Sequence, residues 1–318
     1  MSAILTVTFN PALDMTGALG ILQAGDVNLV QKYNLHPAGK GVNVARVLAD
    51  LGAQVTVSGF LGEENQDPFA HLFVEHGICD HFLRVPGVSR TNVKLVEKDG
   101  RVTDLNFPGM AVEGRDIEAL THTLLELADG HDWIVLAGSL PPGVNADQLS
   151  DWVQALTEAG KQVIVDTSQH ALRAAVSAKP WLVKPNEAEL AQCLNAPISN
   201  ELDTLLARGE QLFQQGIANV VISRGVDGVL WRNHQGWLQA VAPAQEVVST
   251  VGAGDSLVAG LVWGCQAGEE KATVLRRAVA LSALAVTQVG VGVSDIDRVY
   301  QMIEKISVSP VTVSAHAE

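Results

Sequence analysis

In the stretch STVGAGDSL, residues 249–257, Gly252, Ala253 and Gly254 stand directly before the carboxylate of Asp255, with an apolar run behind it. Small residues at a helix start let a ligand approach free backbone N–H groups, which together make an anion site. A carboxylate there would repel a stored phosphate. It suits a phosphoryl group in transfer, because the acceptor hydroxyl must lose a proton while charge builds on the moving group. The other reading of Asp255 is a helix cap that favours the dipole. Four residues alone leave the two readings open. The run behind them forms a helical face, with Leu257, Val258, Leu261, Val262 and Cys265 on one side.

A second glycine pair lies in AGKGVNVA, 38–45, again ahead of a helical pattern, with Gly39 and Lys40 at its start and Asn43 in its first turn. In TFNPALD, 8–14, Pro11 ends a strand, so Asp14 is expected in a loop beyond that strand's carboxyl end. Ligands of open α/β sheets bind at such ends. Each feature alone reads as a solvated lysine or a turn aspartate, and their coincidence with Asp255 is what points to a site. Two other glycine motifs are excluded. Leu257 stands where the dinucleotide pattern needs its third glycine, and Lys40 is followed by Gly41, with no glycine five residues before Gly39. Protein-kinase signatures are missing as well.

The elements that must position these residues follow from periodicity. ILTVTF (4–9), QVTVSGF (54–60), DWIVLAG (132–138), KQVIVD (161–166), PWLVK (180–184) and ANVVIS (218–223) read as strands, most of them buried on both faces. In GVNVARVLADLG, 41–52, Val44, Val47, Leu48 and Leu51 share a helix face and Gly52 stops it. Strand and helix alternate, which predicts a parallel sheet covered on both sides. Two segments, DVNLVQKYNLH (26–36) and TNVKLVEKDGRVTDLNF (91–107), alternate apolar with polar residues instead, and Lys98-Asp99-Gly100 is a hairpin turn in the second. They predict a small antiparallel sheet inserted from about 14–37 and 90–107, either surface decoration or a lid.

Composition sets the outer bounds. The 318 residues carry a net charge of −14, with 47% hydrophobic and 18% charged residues. That describes a globular chain long enough for one large α/β domain or two smaller ones. With no repeat or linker dividing it, one domain over 1–306 is expected, and the charge argues against nucleic acid or an anionic membrane as partner. An anionic substrate must then be drawn in by particular Lys and Arg side chains. Cys79, Cys193 and Cys265 are too far apart in sequence for a metal motif, and a reducing cytoplasm fits them. His36, His71 and His76 show no ligand spacing. The tail 307–318 has no helical period and is expected to fray.

The motifs TFNPALD, AGKGVNVA, Gly59 with Gly62 in GFLG, AGSLPPG (137–143), KPNEAEL (184–190), SRGVDG (223–228) and STVGAGDS occur in an order that resembles the ribokinase/PfkB-like carbohydrate kinases, over residues 3–305. The resemblance implies a three-layer α/β/α core with a mostly parallel sheet, and a β-sheet lid through which two copies form a homodimer. It implies Asp255 as general base with Gly252, Ala253 and Gly254 as the anion hole. Asp14, Gly39, Lys40 and Asn43 would hold the sugar, Arg90 its phosphate, and Asn106 and Ser139 would lie nearby. Lys184, Asn186, Ser223, Gly225, Gly228 and Thr250 would bind ATP. Glu189 and Asn186 would hold magnesium, directly or through water; they stand i and i+3 on a short helix, where capping is the alternative. The expected reaction is ATP-dependent phosphorylation of fructose 1-phosphate at its 6-hydroxyl. Tagatose 6-phosphate or fructose 6-phosphate as acceptor, and a non-catalytic sugar-phosphate sensor, are the competing readings.

Overall fold

The alternation of apolar strand and helix resolves into one large sheet with a smaller one beside it. In this computed structural model, which describes residues 3–312, the chain runs β1 (Ala3–Thr8), β2 (Ala12–Leu19), β3 (Lys32–Ala38), α1 (Lys40–Asp50), β4 (Val55–Gly62), α2 (Asp67–Glu75) and β5 (Cys79–Val85). It continues through β6 (Arg90–Glu97), β7 (Val102–Leu105), α3 (Gly114–Ala128), β8 (His131–Ala137), α4 (Ala146–Glu158), β9 (Gln162–Asp166) and α5 (Gln169–Ser177). Then come β10 (Leu182–Val183), α6 (Glu187–Cys193), α7 (Leu202–Gln214), β11 (Asn219–Ser223), β12 (Val229–Asn233) and β13 (Gly236–Val241). The last elements are α8 (Ala253–Gln266), α9 (Lys271–Ala285), α10 (Ile296–Ile303) and β14 (Ser307–Val311).

The ten-stranded sheet has the order β14-β13-β12-β11-β10-β9-β8-β1-β4-β5. It is parallel from β11 to β5, and β12 to β14 are antiparallel. Successive residues of β1 face opposite layers: Ile4 joins the core built with α1, α8 and α9, while Leu5 and Val7 join the one built with α3, α4 and α7. Both faces are therefore covered, as the unbroken apolar strands require. In α1, Val44, Val47 and Leu48 are wholly buried, each contributing about 1.5–3 kcal/mol by transfer from water. That anchoring fixes the helix whose first turn carries Lys40 and Asn43.

The four-stranded sheet has the order β3-β2-β6-β7, with β2 and β6 parallel and the outer pairs antiparallel. The hairpin turn at 98–100 is present, with Gly100 at φ 86°. Four expectations need correction. Asp14 is not in a loop but on β2, because the chain after Pro11 turns into the small sheet and pairs with both β3 and β6. The strand expected from residue 26 starts only at Lys32; residues 27–30 are irregular and Val27 and Leu29 are exposed, so alternation alone does not make a strand without a partner to pair with. The tail does not fray from 307: β14 pairs with β13 at the sheet edge, where Pro310 is tolerated. The remainder of that expected tail, 313–318, lies outside the described residues. A single apolar face on α8 is also too narrow a description, since every residue from Asp255 to Val262 is buried. Gly260 permits this, for a Cβ there would sit 2.6 Å from Ala278 Cα in α9.

Candidate active site

Two helices, α1 and α8, begin with a glycine at the N-cap and no side-chain cap. Neither Gly39, ahead of α1, nor Gly252, ahead of α8, supplies a capping hydrogen bond. First-turn N–H groups left without such a cap are available to an anion. Gly252 is held at φ 80°, and a Cβ on it would lie 2.4 Å from Val291 Cγ2, so both backbone and packing demand glycine.

Asp255 stands in the first turn of α8, 7% exposed, and accepts a hydrogen bond of 2.7 Å from Asn43 Nδ2 of α1. Burial, and then the neighbouring charge of Asp166, push its carboxyl up to about 6, against the opposing pull of Lys40, Asn43 and Lys184. A carboxylate tuned this way is largely ionised at neutral pH yet more basic than an exposed one.

Asp166, the last residue of β9, belongs to none of the sequence motifs. It is fully buried between Lys40 Nζ at 3.0 Å and Lys184 Nζ at 3.4 Å, both on Oδ1, while its Oδ2 is buried with no hydrogen-bond partner. Burial alone would raise its pKa, but the two ammonium groups hold it below the ordinary carboxylate value. Burial likewise disfavours the Lys40 ammonium, yet Asp166, Asp255 and Glu189 outweigh it and hold Lys40 firmly protonated. Lys184 also flanks α8, its Nζ 3.6 Å from where a Cβ on Gly254 would be. Lys40, Lys184, Asp166 and Asp255 are thus one charge cluster at the start of two helices.

At the small sheet, Asp14 Oδ1 accepts from Asn92 Nδ2 and Oδ2 from Lys94 Nζ, each at 3.1 Å. The register of β2 with β3 brings Ala12 beside Ala38, so Asp14 sits close to the Gly39–Asn43 turn. Arg90 donates to the carbonyls of Phe107 and Asn10 and to Ser139 Oγ, and its Nε is buried without a partner. It therefore ties the small sheet to the core in addition to presenting a cation. Asn10 Nδ2 joins Ser139 Oγ at 3.4 Å and Pro108 O at 2.9 Å. Asn106 is exposed, and the amide engaged at Asp14 is that of Asn92.

At the neighbouring edge of the large sheet, Asn186 and Glu189 form a reciprocal capping box at the start of α6, using Asn186 Oδ1 and Glu189 Oε2. Ser223 bridges to Asn186, which carries the turn at Gly225 and Gly228 to the same edge. Gly228, at φ 88°, lies against Ala240, ahead of the loop that leads to Thr250, itself exposed. Val248 and Ser249 in that loop donate backbone bonds to Val286 O, and Val226, Val247, Val248 and Val289 all expose their side chains. Among the described residues no cluster of three His, Cys, Asp or Glu side chains forms a ready metal cage.

A sequence profile of the pfkB family carbohydrate kinases matches residues 9–298. The chain belongs to that family. This pfkB kinase is 51% identical over 306 residues to the 1-phosphofructokinase of Vibrio cholerae, covering 96% of each chain. To the 1-phosphofructokinase of Escherichia coli it is 45% identical over 307 residues, covering 96% of this chain and 98% of the other. Among solved structures, the kinase is similar to Escherichia coli phosphofructokinase-2 in complex with fructose-6-phosphate, with a TM-score of 0.87, 26% identity, and coverage of 96% and 99%.

Proposed function

We propose that this pfkB kinase transfers the γ-phosphoryl group of ATP to the 6-hydroxyl of fructose 1-phosphate, giving fructose 1,6-bisphosphate and ADP. The observation that carries the reading is Asp255 itself, buried at a helix start that no side chain caps and oriented by Asn43. The identity to proteins named 1-phosphofructokinase supports the choice of acceptor.

In this mechanism Asp255 accepts the proton of the 6-hydroxyl as that oxygen attacks. The backbone N–H groups of Gly252, Ala253 and Gly254 donate to the moving phosphoryl group, and Lys40 and Lys184 balance its charge. Asp14 orients the sugar hydroxyls with Gly39 and Asn43, and Arg90 offers its fork to the sugar phosphate beside Ser139. Lys184, Asn186, Ser223, Gly225, Gly228 and Thr250 line the ATP side, where the exposed valines at 226, 247, 248 and 289 supply an apolar face for the base. Magnesium suits the donors there: Asp166 Oδ2 is buried and unpartnered, and the capping box occupies only one oxygen of Glu189. An ion that keeps most of its waters needs no more than one or two such carboxylates. When bound it would neutralise charge on the ATP phosphates.

A homodimer through the small sheet belongs to the same reading, with the sheet acting as lid. Tyr33 and Leu35 on β3 and Leu105 on β7 are exposed on one face of it, and Val27 and Leu29 are exposed on the irregular segment that leads into β3. Exposed apolar side chains grouped this way favour burial against a partner. A second copy of the same sheet is the occupant that matches it.

The test is kcat/KM with Mg-ATP on fructose 1-phosphate, fructose 6-phosphate, tagatose 6-phosphate and free fructose. Fructose 1-phosphate should lead by at least about tenfold, a difference of ~1.4 kcal/mol. A preference for either other phosphate overturns the acceptor, and turnover of none of them overturns the reaction.

A further inference from the structure

The small sheet supplies its own cation to Asp14, and the mechanism above does not use it. Arg90, Asn92 and Lys94 occupy alternate positions of β6, so they share one face of the sheet. That face meets β2, where Asp14 is the register partner of Asn92 and Thr16 that of Lys94. Lys94 is mostly buried, its side chain 16% exposed, with Nζ 3.1 Å from Asp14 Oδ2 and 3.9 Å from Asp104 Oδ1. Asp14 is almost equally buried, at 17%. The pair is therefore partly buried, less open to solvent screening than an exposed surface ion pair.

An ionised carboxylate has about four lone-pair sites, two on each oxygen. Asn92 takes one on Oδ1 and Lys94 one on Oδ2. One site on each oxygen is left, which is the arrangement that accepts hydrogen bonds from two adjacent hydroxyls of a sugar. The Lys94 ammonium is already paired with two carboxylates, whereas Arg90 donates only to two carbonyls and Ser139 Oγ, so its charge is left unpaired. Of the two cations on this face, Arg90 is the one placed to contact phosphate.

We propose that Lys94 is a positioning residue for the sugar phosphate: it fixes the Asp14 carboxylate toward a pair of adjacent hydroxyls and cancels its charge against the phosphate of the same molecule. The proposal rests on the fructose-phosphate reading. A chain of net charge −14 that placed an uncompensated aspartate beside a dianionic ligand would lose by repulsion what the hydroxyl contacts gain. Lys94 removes that conflict without touching the substrate.

The test is a double-mutant cycle read by calorimetric binding of fructose 1-phosphate to the full-length protein without ATP, together with kcat and KM. K94M should weaken binding about 10- to 100-fold, the range of one charge-assisted hydrogen bond. Its kcat should stay within about threefold, since the transferred phosphoryl group is handled at Asp255. D14N should weaken binding by a similar factor or more. The decisive variant is D14N/K94M, which removes both charges and should bind within about threefold of D14N, because Lys94 acts only through Asp14. K94R, keeping the charge, should recover most of the loss.

Additive losses in the double variant would mean that Lys94 contacts the phosphate directly, and the proposal fails. K94M binding as well as the unsubstituted enzyme sinks it too, as does an equal fall in kcat, which would mark a lid support. Melting curves establish that each variant is folded, and the charge-neutral double variant guards against K94M alone failing to fold. Turnover by the unsubstituted enzyme checks the parent reading independently. The cycle is run with whichever of the three ketohexose phosphates it turns over, so the two failures cannot be confused.

Discussion

Replacing Asp255 by asparagine should make the protein more stable while disabling it. The carboxyl is pushed from 3.8 to about 6 by burial and by Asp166, so the folded state holds its proton more tightly than the unfolded state does. An acid with a raised folded pKa weakens the fold as pH rises through the interval between the two values, and the penalty is complete above the folded pKa. A rise of about 2 units corresponds to ~3 kcal/mol at pH 8, and to about half that at pH 5, where the native carboxyl is still mostly protonated. The introduced asparagine is nearly isosteric and its Oδ1 can keep the bond from Asn43 Nδ2, while its new amide N–H groups, buried near the Lys40 and Lys184 ammonium groups, take back part of the gain. Urea denaturation of both proteins at pH 8 and pH 5 gives the two differences directly. Asp255→Asn should be more stable by about 2–3 kcal/mol at pH 8, with the difference roughly halved at pH 5. An unchanged or lower stability at pH 8 would refute the claim that the site strains this carboxylate.

Four further outcomes follow from the same geometry. Asn43→Ala removes the hydrogen bond that holds the Asp255 pKa down, so the acid limb of the kcat profile should move to higher pH; a limb that stays put separates Asn43 from the base. Asp166→Asn removes the charge that raises Asp255 and should move the limb to lower pH, while leaving Lys184 buried without its counter-ion at a cost of about 3–5 kcal/mol; urea midpoints and the pH profile report both effects. Gly252→Ala, forced to φ 80° and against Val291, should cost about 1–3 kcal/mol and most of the activity, whereas a stable and active variant would show that α8 starts less tightly than described. Light scattering should give a dimer at working concentration, and Leu29→Asp together with Leu105→Asp should give a monomer; a monomeric unsubstituted chain removes the dimer.

What the sequence reveals, and what it conceals, follows from the range over which its signals act. The strands of the parallel sheet are legible because burial on both faces leaves unbroken apolar runs such as DWIVLAG and ANVVIS. The glycines before α1 and α8 are legible because close backbone approach admits little else. Asp166 is not, since its meaning lies in Lys40, 126 positions away, and a lone aspartate ending a strand looks like any turn residue. Lys94 is hidden for the same reason, its partner Asp14 lying 80 positions earlier at a place where Pro11 suggests a loop. The Asn186–Glu189 spacing identifies a first-turn pair, but spacing cannot say whether the two oxygens serve a metal, a cap, or both. The edge strand β14 is not legible because its pairing is set by β13 and not by its own composition.

The central claim, that Asp255 takes the proton during phosphoryl transfer, is tested most directly by the kcat of Asp255→Asn with saturating Mg-ATP and fructose 1-phosphate. The account predicts a fall of roughly 10²- to 10⁴-fold, the share of a positioned general base, with both substrates still binding within a few-fold of the unsubstituted enzyme. A fall of less than about tenfold with unchanged binding would contradict it, and Asp255 would then be no more than the cap of a helix.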